Sequence, residues 1–414
     1  MHELAYVGIL AAFILYVGVR ERRMMSRHID RINTRILVNG IRGKSTVTRL
    51  IMGIVKEDGR RAAGKTTGTS PRLFYWDREE EEPITRSLQG ANISEQKIMT
   101  KKAAKRNVDT FVVECMAVNP EYQQVFETDF VKPQITVITN IVEDHLDVMG
   151  PTLDQIAESF SRTIPKNGYV VMPETKYSRF FRRAAEQRGS EVVFFSTESI
   201  TDDYLQQFPY MMFAENAAIG LAVADILGID RETAMNGMLK APVDPGAMRI
   251  HRFGSSMEPS HFFNGFAAND ASSTLAIWDK IQSDFPAEHR AVIMNCREDR
   301  VERTIQFAED VLPKMNIDTL ILTGKITNPV VEAVERGDIQ AGSVKNMEKE
   351  PASAVIREVQ NLPDGSAVFG VGNIHGGGEE LAEAFEEISS SQGSRREKRK
   401  VTASRSRQVA EQHS

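Results

Sequence analysis

The sequence predicts an α/β fold: two parallel-sheet domains behind an N-terminal transmembrane anchor. Three observations support this. Short β-branched runs alternate with segments of helical periodicity along most of the 414 residues, the pattern of parallel strands joined by helices. The breaker Pro242-Val243-Asp244-Pro245-Gly246 parts those runs into two series. From Leu4 to Val19 every residue is apolar or glycine, and the run stops at Arg20, Arg22 and Arg23.

Taken in order, residues 1–22 read as the anchor, somewhat shorter than the ~20 apolar residues of a typical span. Arg27, Arg31 and Arg35 extend the positive flank, which predicts a cell-membrane, single-pass protein whose body faces the cytoplasm. The start Met1-His2-Glu3 lacks the basic region of a cleaved signal peptide. Residues 23–246 form the first domain, with strands expected at 35–38, 110–113, 135–139, 169–172 and 192–195. Val47, Leu50, Ile51, Ile54 and Val55 follow helical spacing, with Gly59 where a C-cap would sit. Residues 77–82 read as a charged loop. Residues 247–388 form the second domain, with strands at 261–265, 291–295, 319–323 and 367–370. From 389 to 414 the composition turns to Ser, Arg, Lys and Gln, a disordered basic tail. A net charge of -6 argues against nucleic acid as a partner. Cys115 and Cys296 sit in apolar runs without ligand spacing, as buried thiols of a reducing compartment do.

The first expected strand runs into Gly40-Ile41-Arg42-Gly43-Lys44-Ser45-Thr46 and then the helix. Strand, glycine turn and helix make a phosphate cradle: glycines let backbone approach the anion, and the helix N-terminus aims N–H groups at it. Lys44 reaches the terminal phosphates and Ser45 can ligate magnesium. The glycine spacing is shorter than the commonest form of this motif. Other strand ends supply Glu114, Asn140 and the stretch Glu143-Asp144-His145-Leu146-Asp147. Carboxylates and an imidazole beside such a cradle suit a magnesium–ATP site.

Gly40 to Thr46, Glu114, Thr139-Asn140 and Asp144-His145-Leu146-Asp147 together resemble the Mur ligase superfamily, which joins an amine to a carboxylate using ATP. The resemblance implies a P-loop-type parallel-sheet ATPase domain followed by a smaller Rossmann-like domain. It implies that Asn216 meets adenine, Arg249 meets phosphate, Asn269-Asp270 binds the nucleotide ribose, and Ser70 in Thr69-Ser70-Pro71 approaches a magnesium ion. Lys44, Glu114 and His145 become the catalytic set. Gly40, Gly43, Lys44, Ser45, Thr46, Asn140, Asn216, Arg249, Asn269 and Asp270 would bind the nucleotide, and Ser45, Ser70, Glu114 and His145 the metal. Within the superfamily, Gly64 to Thr69, Glu114 to Pro120, Asn264 to Thr274 and Gly370 to Gly376 look most like the ligase subunits of bacterial poly-γ-glutamate synthases. That implies glutamate and the growing polymer as substrates, ADP as product, and other membrane subunits as partners. One departure stands out: many Mur ligases have a carbamylated lysine near the place where this chain has Ser159-Phe160-Ser161. His375, among glycines, reads equally as a strand-end residue near substrate or as structural. Two other classes stay open, a membrane-anchored P-loop ATPase or kinase regulating polymer export, and a non-catalytic ATP-binding assembly subunit.

Overall fold

A computed structural model describes residues 2–68, 71–86, 92–244, 247–255, 257–266, 268 and 271–389. The expectations placed on Ser70, Asn269, Asp270 and residues 390–414 lie outside the described residues. Two compact units divide the chain. The first takes Met1–Phe208 and Met212–Ala247, the second Pro209–Met211 and the chain from Met248.

The first unit is built on eight strands: β1 (Thr34–Asn39), β2 (Ala62–Lys65), β3 (Arg72–Tyr75), β4 (Glu82–Pro83), β5 (Thr110–Glu114), β6 (Ile135–Ile138), β7 (Tyr169–Pro173) and β8 (Glu191–Phe195). Their order is β4-β3-β2-β5-β1-β6-β7-β8. From β2 to β8 neighbouring strands are parallel, and the edge strands β3 and β4 run antiparallel. The central strands are apolar along their length because helices cover both faces of the sheet. On one face Leu37, Phe111, Val113 and Phe126 pack together. Ile138, Val170, Met172, Phe160 and Phe181 form a second cluster.

Helix α1 (His2–Ile29) joins this unit through its C-terminal half, where Met25 and Ile29 enter the first cluster. Ion pairs Glu21–Lys97 at 2.8 Å and Arg22–Asp129 at 3.5 Å flank it. Arg35 of β1 donates to the carbonyls of Ile29 and Ile32, closing the end of the helix onto the strand. The N-terminal half is different: Val7, Ile9, Leu10, Phe13, Ile14 and Leu15 are exposed. Among the described residues no helix is long and apolar enough to cross a membrane. The span expected over residues 4–19 is therefore not supported among these residues. The apolar run is short of the ~20 residues a span needs, and the same helix continues directly into Arg20, Glu21, Arg22 and Arg23.

Helix α2 (Lys44–Glu57) has Gly43 as its N-cap and Asp58 as its C-cap, with Gly59 in the left-handed region at φ 78°. Val47, Leu50, Ile51, Ile54 and Val55 are all buried, as their spacing predicts. The second unit has six strands: β9 (Ile250–Gly254), β10 (Pro259–Asn264), β11 (Arg290–Cys296), β12 (Ile317–Gly324), β13 (Ala341–Glu348) and β14 (Ala367–Gly372). Their order is β13-β12-β11-β14-β10-β9, parallel except for β9. Phe253, Phe262, Phe266, Ile293, Ile321 and Phe385 centre its core. Both cysteines are free and buried, and burial pushes the Cys115 thiol up to about 11 and that of Cys296 up to about 12, which removes them as nucleophiles.

Candidate active site

In an open parallel sheet, ligands collect beyond the C-terminal ends of the strands. In the first unit the candidate residues follow the ends of three of these strands, β1, β5 and β6. β1 delivers the loop from Gly40, and its last residue, Asn39, is buried. The Asn39 Oδ1 accepts from the Gly40 N–H at 2.8 Å, while its Nδ2 donates to Gln123 Oε1 at 2.9 Å. Gly40 is at φ 122°, and a Cβ there would lie 2.2 Å from Thr139 Oγ1. Gly43 is left-handed at φ 80°, and a Cβ on it would come within 3.0 Å of Asn216 Oδ1. The loop therefore needs both glycines, and Asn216 is brought beside the start of α2.

Asn140, two residues past the end of β6, shapes the loop. Its Oδ1 accepts from the N–H groups of Ile41 (3.2 Å) and Arg42 (3.0 Å), and its Nδ2 donates to the Arg42 carbonyl at 3.0 Å. Thr139 Oγ1 donates to the same carbonyl at 2.7 Å. The amide that the sequence marks as a nucleotide contact thus also ties the cradle together. Lys44 Nζ donates to the carbonyls of Gly40 (2.8 Å) and Ile41 (2.9 Å). Burial holds its ammonium below the usual lysine range, with Glu114, Cys115 and Asp144 opposing.

Glu114, at the end of β5, is buried and fully engaged. Ser45 Oγ donates to its Oε2 at 2.7 Å, the Thr67 N–H to the same oxygen at 2.9 Å, and Thr67 Oγ1 to Oε1 at 2.6 Å. Ser45 and Glu114 thus meet at one point beside Lys44. A magnesium ion on a nucleotide is held by one or two carboxylates together with phosphate oxygens and waters, and this oxygen pair fits that demand. His145 does not join them. It is half-exposed and left-handed at φ 50°, with its Nδ1 4.0 Å from Asp144 Oδ1, and Asp144 lies 3.8 Å from Arg42. Among the described residues no group of three or more His, Cys, Asp or Glu is placed to hold a metal.

Ser159, where a carbamylated lysine was absent from the sequence, is buried and accepts from Gln123 Nε2 at 2.9 Å. It belongs to the packing under the loop. Sequence reasoning missed Thr67 as the clamp on Glu114. The only signal was its place two residues past a short run that does not look like a strand.

The second unit also concentrates polar groups at its strand ends. Asn295 of β11 donates to the carbonyls of Asn373 (2.6 Å) and His375 (3.1 Å), and Asn373 Nδ2 returns a bond to the Asn295 carbonyl at 3.2 Å. His375 itself is exposed, with Nδ1 2.7 Å from Glu379. Arg249 sits in a bridge to Tyr210 and pairs with Glu386 at 2.7 Å.

A glycine-loop cradle with a serine–carboxylate pair, on a parallel sheet followed by a second α/β unit, fits the Mur ligase class of ATP-dependent amide ligases, and the comparisons with known proteins show that class. Residues 38–221 match the Mur ligase middle domain. Residues 250–388 match the poly-gamma-glutamate synthase CapB C-terminal domain. The chain is 49% identical over 380 residues to PGA synthase CapB of Bacillus subtilis (strain 168), covering 92% of this chain and 97% of that one. It is 46% identical over 383 residues to the capsule biosynthesis protein CapB of Bacillus anthracis, covering 92% and 82%. A solved E. coli FolC in complex with ADP shares the fold at a TM-score of 0.61 and 15% identity, over 93% of this chain and 98% of that one. The chain belongs to the CapB family of Mur ligases.

Proposed function

We propose that this chain polymerises glutamate through its γ-carboxyl at the expense of ATP, releasing ADP and phosphate, with glutamate and the growing poly-γ-glutamate as substrates. The meeting of Ser45 and Glu114 at 2.7 Å beside Lys44 supports this reading most directly, in a chain that aligns with its CapB relatives over 92% of its length. A carboxylate resists attack by an amine because its leaving group would be oxide. Transfer of the γ-phosphoryl group to a carboxylate oxygen forms a P–O bond while the bond to the β-phosphate oxygen breaks, and ADP leaves. The amine nitrogen of glutamate then attacks the acyl carbon, phosphate departs with the bonding electrons, and the nitrogen loses a proton.

Lys44 neutralises charge that develops on the transferring group, and the N–H groups from Gly40 to Thr46 hold the β-phosphate in line. Ser45 and Glu114 would hold Mg2+, which when bound spreads the charge of the phosphates. Asn216 would meet the adenine, and Arg249, Asn269 and Asp270 the phosphate and ribose. His145, outside the Ser45–Glu114 contact, would act at the outer edge of the site. The exposed apolar half of α1, followed by Arg20, Arg22 and Arg23, supports contact with a membrane. We place the body on its cytoplasmic side, beside other membrane subunits of the synthase.

The test is glutamate-dependent ADP release by membranes holding this protein and its partners, with the product hydrolysed and examined for γ-linkages. Lys44→Ala is expected to lower the rate by at least ~10²-fold and to abolish γ-linked polymer. ATP turnover indifferent to glutamate, without polymer, would favour the regulatory ATPase instead.

A further inference from the structure

Lys65 closes β2, opposite Val113 of β5 and hence one register position before Glu114. Its side chain is fully buried, with Nζ 3.0 Å from Glu95 Oε1 and 3.7 Å from Met116 Sδ. Glu95 opens helix α3 (Glu95–Lys105) and takes a second cation, Arg86, whose Nε is 3.2 Å from Oε2. The other end of Arg86 donates from Nη2 to the Thr67 carbonyl at 2.9 Å. Thr67 in turn grips both oxygens of Glu114. The chain leaves Lys65, and two residues later the same network reaches it again.

Burying an ammonium and a carboxylate costs several kcal/mol per ion before their attraction is counted, and apolar residues often replace such pairs without loss of stability. A pair kept only for folding would have no reason to end on the site. This one does: its far end holds the peptide whose N–H and hydroxyl fix Glu114. Burial holds the Lys65 ammonium below the usual lysine range, with Glu95 and, more weakly, Glu114 opposing. Without Lys65, Glu95 would be left to Arg86 alone. The guanidinium would then be drawn from the Thr67 carbonyl toward the unpaired carboxylate.

We propose that Lys65 is a positioning residue that, through Glu95, Arg86 and Thr67, aims the Glu114 carboxylate at the divalent cation of the bound nucleotide. The proposal rests on the reading of Glu114 as a holder of that cation. It predicts a defect confined to metal-dependent binding, since neither Lys65 nor Arg86 belongs to the phosphate cradle.

Binding of ADP to the full-length protein, measured by calorimetry in EDTA and in Mg2+, tests it without turnover. Lys65→Met is expected to leave the EDTA affinity within about twofold and to weaken the Mg2+–ADP affinity about tenfold, as loss of groups behind metal ligands does. Arg86→Gln, which spares the buried lysine, should show the same selective loss should Lys65→Met fail to fold. Thr67→Val should match it, and the double variant with Lys65→Met should be no worse than either alone. Equal losses with and without Mg2+, no loss in either, or additive losses would overturn the positioning role and leave Glu114 as the cation holder. A wild-type protein whose ADP affinity ignores Mg2+ would remove the Glu114 reading, and this proposal with it.

Discussion

The two units share a parallel-sheet architecture but bury different kinds of polar group. Among the described residues every buried lysine, arginine and carboxylate lies in the first: Arg49, Lys65, Glu114 and Glu127. The second buries neutral groups, Asn295, Asn373, His251 and a set of serines and threonines. Arg49 illustrates the first style, held between Glu81 and Asp244. The Asn295–Asn373 exchange illustrates the second. A sheet end that handles a polyphosphate and its cation must have its charges oriented beforehand, and it bears the desolvation cost in the folded state. Amides fix a strand end without that cost and without sensitivity to pH.

The comparison can be broken at three places. The largest effect is expected in the neutral unit. Asn295→Ala leaves the carbonyls of Asn373 and His375 short of a donor and should cost about 2 kcal/mol in urea unfolding. A loss indistinguishable from zero would mean the amide exchange is incidental. In the charged unit, Asn140→Ala frees three hydrogen bonds of the loop and should raise the ATP concentration for half-maximal ADP release about tenfold. An unchanged ATP dependence would show that the loop keeps its shape unaided.

The third effect is a shift of a few degrees in melting temperature, opposite in sign for the two units. Burial pushes the Glu127 carboxyl up to about 7 from its ordinary 4.5, against the pull of Arg188 and Lys166. Between those values the folded protein keeps a proton that the unfolded chain has lost, so the first unit loses stability as pH rises through that window. Burial, with Arg252 adding to it, pushes the His261 imidazole down to about 4 from 6.5. There the unfolded chain holds the extra proton, so the second unit loses stability as pH falls through that window. Calorimetry from pH 4 to 8 should show Glu127→Gln removing part of the first unit's loss on raising the pH, and His261→Phe part of the second unit's loss on lowering it. Identical profiles for both variants and the parent would end the contrast.

The strands that the sequence reveals are the central, β-branched ones, such as β1, β5, β6 and β11. Those it hides are β2, β3, β4, β9 and β13. Ala62-Ala63-Gly64-Lys65 has no β-branched residue, and β13 is a mostly polar strand at a sheet edge. Glu114 was legible because it ends a readable strand, and Ser45 because it opens the helix that follows the glycine turn. Thr67, Arg86 and Glu95 were not, since their meeting depends on β2 and on loop paths that local pattern does not encode. The sequence reads His145 as a metal ligand from its aspartate neighbours; the left-handed turn at that residue and its half-exposed ring are features that local pattern does not encode.

Helix α1 is 28 residues without a break, roughly 42 Å at 1.5 Å per residue, and only four residues separate it from β1. The strand that bears the nucleotide loop is thereby fastened to a stiff rod. Such a rod works as a ruler: whatever grips its exposed apolar half fixes the height of the loop above that grip, to within the bending of a single helix.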